Sequence, residues 1–423
     1  MVMRWIRRIT AGVTVVLVLV GPWDQVRVDA TTAVGEPPPS VPNHPPQAPQ
    51  RLLWSTPVSP DALYRDLVTV EGPYVAVGRH NGVAVRELLT GRRRWQYRYL
   101  GGNLIMMRAG GGRVAATFHT PQPDNGAIRL VVLDLASGRV LWERQARNKE
   151  TIPHLFDGTV VMASDPVGPD GPVTFTGYRG TDGARRWQRT ITCDSGKSVD
   201  METTAAGSTV VARLTCSGGA HRSPRTKLAV VDGASGRVHW QRSLPDELKV
   251  TGAGSAVVVT AGQGTDVPGP TTRYPLTAYD THTGRRLAMH QVESNGKQFM
   301  TVTLSRGWCT ATTESLTGWE HLRCYDTRTG TQRWQWNAPL NDVQPSPNAA
   351  RLAGLGIFGS FGEYPAVIFD ARTGETTRVE LPELYDVREL VSYGHGALVI
   401  TGESSFADPR LYVYGDPGRP ATR

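Results

Sequence analysis

The sequence predicts an all-β protein, an eight-bladed β-propeller of four-stranded blades whose ring is closed by N- and C-terminal strands sharing one blade. Three observations predict it. A turn motif recurs at a near-constant period, β-branched and aromatic runs flank every copy, and the two ends of the array each hold part of a blade. The motif is a short apolar strand, an Asp, two or three turn residues and a Gly, usually with a Trp four positions later. Full copies are Val132-Leu133-Asp134-Leu135-Ala136-Ser137-Gly138 with Trp142, Val230-Val231-Asp232-Gly233-Ala234-Ser235-Gly236 with Trp240, and Cys324-Tyr325-Asp326-Thr327-Arg328-Thr329-Gly330 with Trp334. Leu88-Leu89-Thr90-Gly91 with Trp95 and Gly180-Thr181-Asp182-Gly183 with Trp187 are degenerate copies. Two others keep the turn and lose the Trp: the copy ending at Gly284 has Ala288 there, and the copy ending at Gly374 has Arg378.

The seven turn glycines, Gly91, Gly138, Gly183, Gly236, Gly284, Gly330 and Gly374, are spaced by 47, 45, 53, 48, 46 and 44 residues. Propeller blades have this period, and so do solenoids of helix pairs. The flanking residues decide between them. Runs such as Thr209-Val210-Val211-Ala212-Arg213-Leu214 and Ser255-Ala256-Val257-Val258-Val259-Thr260, bounded by Gly and Pro, read as strands. No segment beyond the N-terminal stretch sustains a helical period.

Arg4, Arg7 and Arg8 precede an apolar run from Ile9 to Val20. Twelve helical residues span roughly 18 Å, short of a hydrocarbon core of about 30 Å, so residues 1–30 read as a secretory signal peptide. Val28-Asp29-Ala30 offers small residues for cleavage but lies ten residues beyond Val20, which keeps an uncleaved signal anchor as the alternative. The body is exported in both cases, and with no Cys nearby a lipoprotein anchor is excluded. Residues 31–50 form a linker, with seven prolines between Gly35 and Gln50. The propeller occupies residues 51–418 and a short tail 419–423. Arg51-Leu52-Leu53-Trp54-Ser55-Thr56-Pro57 supplies the outermost strand of a blade whose other three come from Val387–Ile400 and Leu411–Tyr414. Closure of this kind removes the open strand edges of a linear array.

The net charge is +8, about +6 without residues 1–30, carried by 41 arginines and 5 lysines. The arginines are dispersed and often follow the turn Gly, where they would be solvated or cover Trp faces. A nucleic-acid partner would call for clustered charge with stacking platforms and is not expected. The membrane is contacted only through the N-terminal segment. Cys193 and Cys216 form one local pair and Cys309 and Cys324 another, each within one blade; hairpin geometry and export predict two disulfides. A metal site would need closer ligand spacing.

The motif Asp-x-x-Thr-Gly-x-x-x-Trp resembles the pyrroloquinoline quinone (PQQ) repeat of quinoprotein propellers, over nearly all of residues 51–418. The resemblance implies that Trp54, Trp95, Trp142, Trp187, Trp240 and Trp334 dock on the Gly-bearing turns of neighbouring blades. Any side chain on that Gly would block such a contact. The family includes quinone-dependent dehydrogenases and non-enzymatic scaffolds, among them the lipoprotein that assists outer-membrane barrel assembly. Its dehydrogenases carry an adjacent Cys-Cys pair over the cofactor, a Ca²⁺ site and an Asp base. Here no two cysteines are adjacent, and the nearest Ca²⁺-like loop, Asp165-Pro166-Val167-Gly168-Pro169-Asp170-Gly171, reads as a turn. Neither PQQ nor Ca²⁺ is therefore expected as a cofactor. No metal ligands and no catalytic residues are assigned.

Other motif matches carry no chemistry. Gly354-Leu355-Gly356-Ile357-Phe358-Gly359 lacks the helix a dinucleotide fingerprint needs, and Ser195-Gly196-Lys197-Ser198 has Ile191 where a phosphate loop requires Gly. Function is more legible in the connections between second and third strands. They are expanded at 119–127, 164–172, 217–226, 262–275, 312–320 and 360–365, all on one face of a propeller. His221, Arg222, Arg225, Tyr274, Trp319 and Tyr364 within them are the candidate binding-face residues. The sequence thus reads as an exported, non-enzymatic platform at the cell envelope, binding an unknown envelope protein or extracellular ligand. The alternatives are a PQQ-dependent sugar or alcohol dehydrogenase-like quinoprotein and an extracytoplasmic sensor.

Overall fold

A computed structural model places the chain. It describes residues 26–29, 51–58 and 67–415, the last range without 120–127, 147–152, 165–171, 195–197, 217–224, 245–247, 254–255, 262–271, 295–298, 305–306, 313–320, 327–328, 338–339, 346–350, 357–365, 380–386, 394–396 and 405–406. The described residues contain only strands, turns and bends, arranged as antiparallel sheets of the propeller kind.

Eight sheets are found among them. Sheet 1 comprises Val68–Glu71, Tyr74–Arg79, Gly82–Glu87 and Arg93–Tyr99. Sheet 2 runs from Asn103–Gly110 to Val140–Ala146, sheet 3 from His154–Phe156 to Arg185–Ile191, and sheet 4 from Ser198–Ala206 to Val238–Leu244. Sheet 5 runs from Leu248–Ala253 to Arg286–Ser294, sheet 6 from Phe299–Leu304 to Gln332–Trp336, and sheet 7 from Leu340–Pro345 to Thr376–Val379. Sheet 8 joins Val387–Tyr393, Ala397–Ser404 and Ala407–Gly415 to Arg51–Pro57, with Ser55 opposite Tyr412 and Arg51 opposite Gly415. Residues 51–57 and 387–415 thus share one sheet. A further strand, Val26–Asp29, pairs with the outside of Arg93–Tyr99 and makes sheet 1 five-stranded.

Sheets 1 to 5 bury both faces. The second and third strands therefore read as continuous apolar runs: Val75, Ala76, Val83, Val85, Val114, Val131, Val210 and Val230 are all fully buried. First strands of successive sheets lie against one another from sheet 1 to 3 and from sheet 4 to 8. Sheets 3 and 4 are joined there by a 2.9 Å hydrogen bond between His154 Nε2 and Thr203 Oγ1.

The turn motif folds for a local reason. Asp134 Oδ1 accepts from Ser137 N at 2.8 Å and Ser137 Oγ at 2.7 Å, while Gly138 N donates to the Asp134 carbonyl at 2.9 Å. The same arrangement recurs at Asp232 with Ser235, Asp280 with Thr283 and Asp370 with Thr373. The degenerate copies solve it differently. Glu87 replaces the Asp and accepts from Thr90 Oγ1 at 2.6 Å, and in sheet 3 the polarity is reversed, with Arg179 donating to Asp182 at 2.7 Å. All seven turn glycines have φ between 66° and 75°, where a side chain is strained.

Docking between sheets follows from these turns. A Cβ on Gly138 would lie 2.5 Å from the Trp95 ring, and Trp95 Nε1 donates to Leu135 O at 2.8 Å. Trp54 sits likewise on Gly91 and donates to Leu88 O, Trp142 on Gly183 and Gly180 O, and Trp187 on Gly236 and Ala234 O. Trp240 docks on Gly284 with Thr281 O, and Trp334 on Gly374 with Ala371 O. Every Trp in this set therefore lies on a turn Gly of the next sheet.

Arg86, from a third strand, lies 5.8 Å from the Trp54 ring centroid, whereas Arg92 beside Gly91 is exposed and pairs with Glu87 at 2.5 Å. At the seam between sheets 5 and 6, where Ala288 meets Gly330, the aromatic anchor comes from the other side. Trp308 of sheet 6 is buried, stacks on Tyr325 with centroids 4.3 Å apart, and meets His290 of sheet 5 at 6.2 Å.

Replacing Trp95 with Ala removes a fully buried ring and is expected to cost about 3–5 kcal/mol in denaturant unfolding. Trp334→Ala, which is less buried, should cost less; equal losses would contradict this packing order.

Candidate functional site

The two ends of the sheets differ in what they expose. One end carries the Gly turns and the tight first hairpins, and it is consumed by docking. The opposite end carries the connections between second and third strands and the crossings from each sheet to the next. In sheet 1 the second-to-third connection is only His80-Asn81, closing Arg79 opposite Gly82. In sheet 2 the strands end at His119 and resume at Ile128, in sheet 4 they end at Cys216 and resume at Arg225, and in sheet 6 they end at Thr312 and resume at His321. The long-connection pattern begins at sheet 2, as the sequence predicts.

Of the candidate binding-face residues, His221, Arg222, Trp319 and Tyr364 lie outside the described residues, as does the Asp165–Gly171 loop. Arg225 and Tyr274 are corrected: both belong to strands. Arg225 is exposed at the first position of Arg225–Asp232, opposite Cys216, and Tyr274 pairs with Val292 in Thr272–Asp280. The strand pairing extends closer to the loop than the Gly and Thr content around these positions suggests.

Both disulfides form. Cys309 and Cys324 face one another directly across neighbouring strands of sheet 6, with Cα atoms 4.0 Å apart. Cys193 and Cys216, 5.6 Å apart, are not confined to one sheet: the bridge ties the crossing that leaves sheet 3 to the second strand of sheet 4. The next residue, Asp194, accepts from Lys227 Nζ at 2.8 Å and Ser243 Oγ at 2.6 Å, and these contacts hold its carboxyl below the ordinary value. The crossing is thus stapled beside the 217–224 connection. This cysteine chemistry does not fit the adjacent Cys-Cys pair of the dehydrogenases, and no step through a quinone is derived from it. Among the described residues, no group of three or more His, Cys, Asp or Glu gathers as a metal site.

A profile described as outer membrane protein assembly factor BamB, of the PQQ repeat, matches residues 47–222 and 108–336, well over half of the chain. The chain belongs to this family. Its BamB-like repeats are similar in fold to BamB from Moraxella catarrhalis, at 15% identity and TM-score 0.48, covering 87% of this chain and 100% of that one. They are also similar to the quinohemoprotein alcohol dehydrogenase ADHIIG from Pseudomonas putida HK5, at 11% identity and TM-score 0.51, covering 88% and 78%. The quinohemoprotein alcohol dehydrogenase from Comamonas testosteroni gives 11% identity and TM-score 0.49, covering 88% and 78%. At 11% identity the likeness to ADHIIG shows the fold alone. Comparison with curated proteins gives no match.

Sequence reasoning missed a polar accessory to docking. Two residues after the Trp, Arg189 Nε reaches Gly236 O at 2.9 Å and Arg242 Nη2 reaches Gly284 O at 3.3 Å, so a guanidinium joins each ring on the next turn. The Trp-x-Arg spacing at 187–189 and 240–242 was the available signal. His154 was missed as well. Burial, helped by Arg108, pushes its imidazole down to about 4, so it stays neutral between the first strands of sheets 3 and 4.

Titration should show two windows. The unfolded chain takes up a proton at His154 near 6.5 and the folded chain only near 4. Stability therefore falls as pH drops from 6.5 to 4, by on the order of 3 kcal/mol for this group. His154→Asn should reduce the slope in that window by one proton. In the turns, burial opposes ionisation of Asp232, Asp280 and Asp370, but hydrogen bonds from Ser235, Thr283 and Thr373 outweigh it and hold these carboxyls low. Their contribution is present above the ordinary carboxylate range and is lost as pH falls below about 4. Melting temperatures of Asp280→Asn and the parent should converge there.

Proposed function

We propose that the chain is an exported, non-enzymatic binding platform at the cell envelope, its sheets closing as an eight-bladed ring and its long-connection end taking up an envelope protein or extracellular ligand. The observation that carries this reading is the staple at that end: the Cys193–Cys216 bridge and the Asp194 contacts hold the crossing next to the 217–224 connection. Recognition loops on a rigid frame are the usual way a scaffold binds. The docking of Trp54 from sheet 8 on Gly91 of sheet 1 supports ring closure. Two disulfides suit an oxidising, extracytoplasmic compartment, and membership of a family described by an outer-membrane assembly factor fits an envelope partner.

A second reading, quinone-dependent oxidation of an alcohol or sugar, draws on the fold shared with the ADHIIG dehydrogenase. Calorimetric titration of the chain with pyrroloquinoline quinone plus Ca²⁺, followed by dye reduction with alcohols and sugars, separates the two. We expect neither heat nor turnover. Micromolar binding with dye reduction would replace the platform by the dehydrogenase.

The export reading has its own test. N-terminal sequencing of the protein from the producing cell should find a start near residue 31 if residues 1–30 are a signal peptide. An intact N-terminus would instead make them an anchor and strengthen the sensor alternative.

A further inference from the structure

A β-bulge precedes the docked Trp on its outer strand and puts one residue out of register. That residue is Arg94 in sheet 1, Arg333 in sheet 6 and His239 in sheet 4. A bulge re-aims the side chain it carries. Both arginines point back to the carboxylate of their own turn: Arg94 Nη1 lies 3.3 Å from Glu87 Oε1, and Arg333 Nε donates to Asp326 Oδ2 at 3.1 Å. His239 takes the same slot in sheet 4, but the shorter imidazole stops with Nε2 3.8 Å from Asp232 Oδ2, too far for a hydrogen bond. A position that elsewhere holds a permanent cation therefore holds a titratable group.

The same imidazole meets a second one across the seam. The rings of His239 and His282, the latter in the turn of sheet 5, have centroids 4.9 Å apart. The His239 side chain is only 4% exposed and its Nε2 makes no hydrogen bond. His282 is exposed and tied to its turn: Nδ1 lies 3.1 Å from Thr281 Oγ1, and its backbone N donates to Asp280 Oδ1 at 3.0 Å. This turn is the one that receives Trp240, whose Nε1 donates to Asp280 O at 3.0 Å and Thr281 O at 3.1 Å. The charged groups facing His239 are Asp232 and Arg237 from its own sheet and His282 and Asp280 from sheet 5, while Arg242 is committed to Gly284 O. Burial first, then His282 and Arg237, lower the affinity of His239 for a proton against the pull of Asp232 and Asp280.

We propose that the seam between sheets 4 and 5 is a proton-operated latch, closed while His239 lies neutral against His282 and loosened around Trp240 when the pair takes up protons. Two effects act in the same direction. Imidazolium rings this close repel one another. A charged His239 gains a charge-assisted bond to Asp232 only by closing the 3.8 Å gap, and that movement draws the ring away from His282. Because the folded seam binds the His239 proton less readily than the unfolded chain, the closed state is fully stable above the ordinary imidazole value near 6.5 and loses stability as pH falls below it. The other docked Trp residues have Leu53, Arg94, Leu141, Arg186 or Arg333 at the bulge, so the device is confined to this seam. The latch stands independently of the platform reading.

Hydrogen exchange of the full chain, followed by mass spectrometry at about pH 7.5 and about pH 5 and corrected for the intrinsic exchange rate, tests it. His154, with its value of about 4, stays mostly neutral at the lower pH and does not interfere. We expect protection of residues 236–244 and 280–290 to fall at least about threefold at pH 5, with residues 93–99 and 134–138 of the Trp95 seam unchanged. His239→Leu, which installs the bulge residue found beside Trp54 and Trp142, should keep the seam protected at both pH values. His282→Gln, in an exposed turn, should reduce the fall. No fall in the parent, an equal fall at the Trp95 seam, or a fall that persists in both variants would overturn the latch.

Discussion

The fold depends on a contact between an indole and a residue without a side chain. A β-sheet with both faces apolar cannot stand alone, and it needs a neighbour whose orientation is fixed as well as one that excludes water. The Trp on six of the eight outer strands supplies both. Its ring covers the Gly peptide and its Nε1 donates to a carbonyl of the same turn, as in the 2.8 Å bond from Trp95 to Leu135 O. Area gives the attraction and the hydrogen bond gives the angle. A turn with φ near 70° is the geometry that brings a bare peptide to the surface, so the strained turn and the exposed ring are two halves of one device.

The device also explains why most of the fold was legible in the sequence and some of it was not. Asp, Ser or Thr, Gly and Trp occupy fixed offsets because each makes a contact within a few residues or on one defined turn, so spacing alone reveals them. The aromatic swap at Ala288 escapes such reading. Trp308 and Tyr325 replace the lost ring from second and third strands, where the sequence pattern shows only buried apolar residues, and nothing local says which sheet they face. First strands were harder still. His154–Phe156 is three residues long, and its partner Thr203 lies in the next sheet.

At the candidate site the balance is reversed. The lengths of the connections could be read, because strands end where alternation ends. Which residues remain outside the strands could not, since Arg225 and Tyr274 continue the pairing beyond the last apolar residue and their hydrogen bonds come from the backbone. Disulfide partners were accessible from spacing, yet the role of the Cys193 bridge was not. It depends on the crossing after Arg185–Ile191 returning over the second strand of the next sheet, a feature of the assembled fold.

Charge follows the same logic of use and surplus. Many arginines have a visible structural role. Arg189 and Arg242 reach turn carbonyls, Arg129 and Arg144 lie over Tyr99 and Tyr178, and Arg333 pairs with Asp326. Such roles need one guanidinium per contact, and they place it where a ring, a carbonyl or a carboxylate awaits. Sheet 1 departs from this economy. Arg86 alone serves its seam with Trp54 and Gly91, whereas Arg79 and Arg98 add like charge beside it.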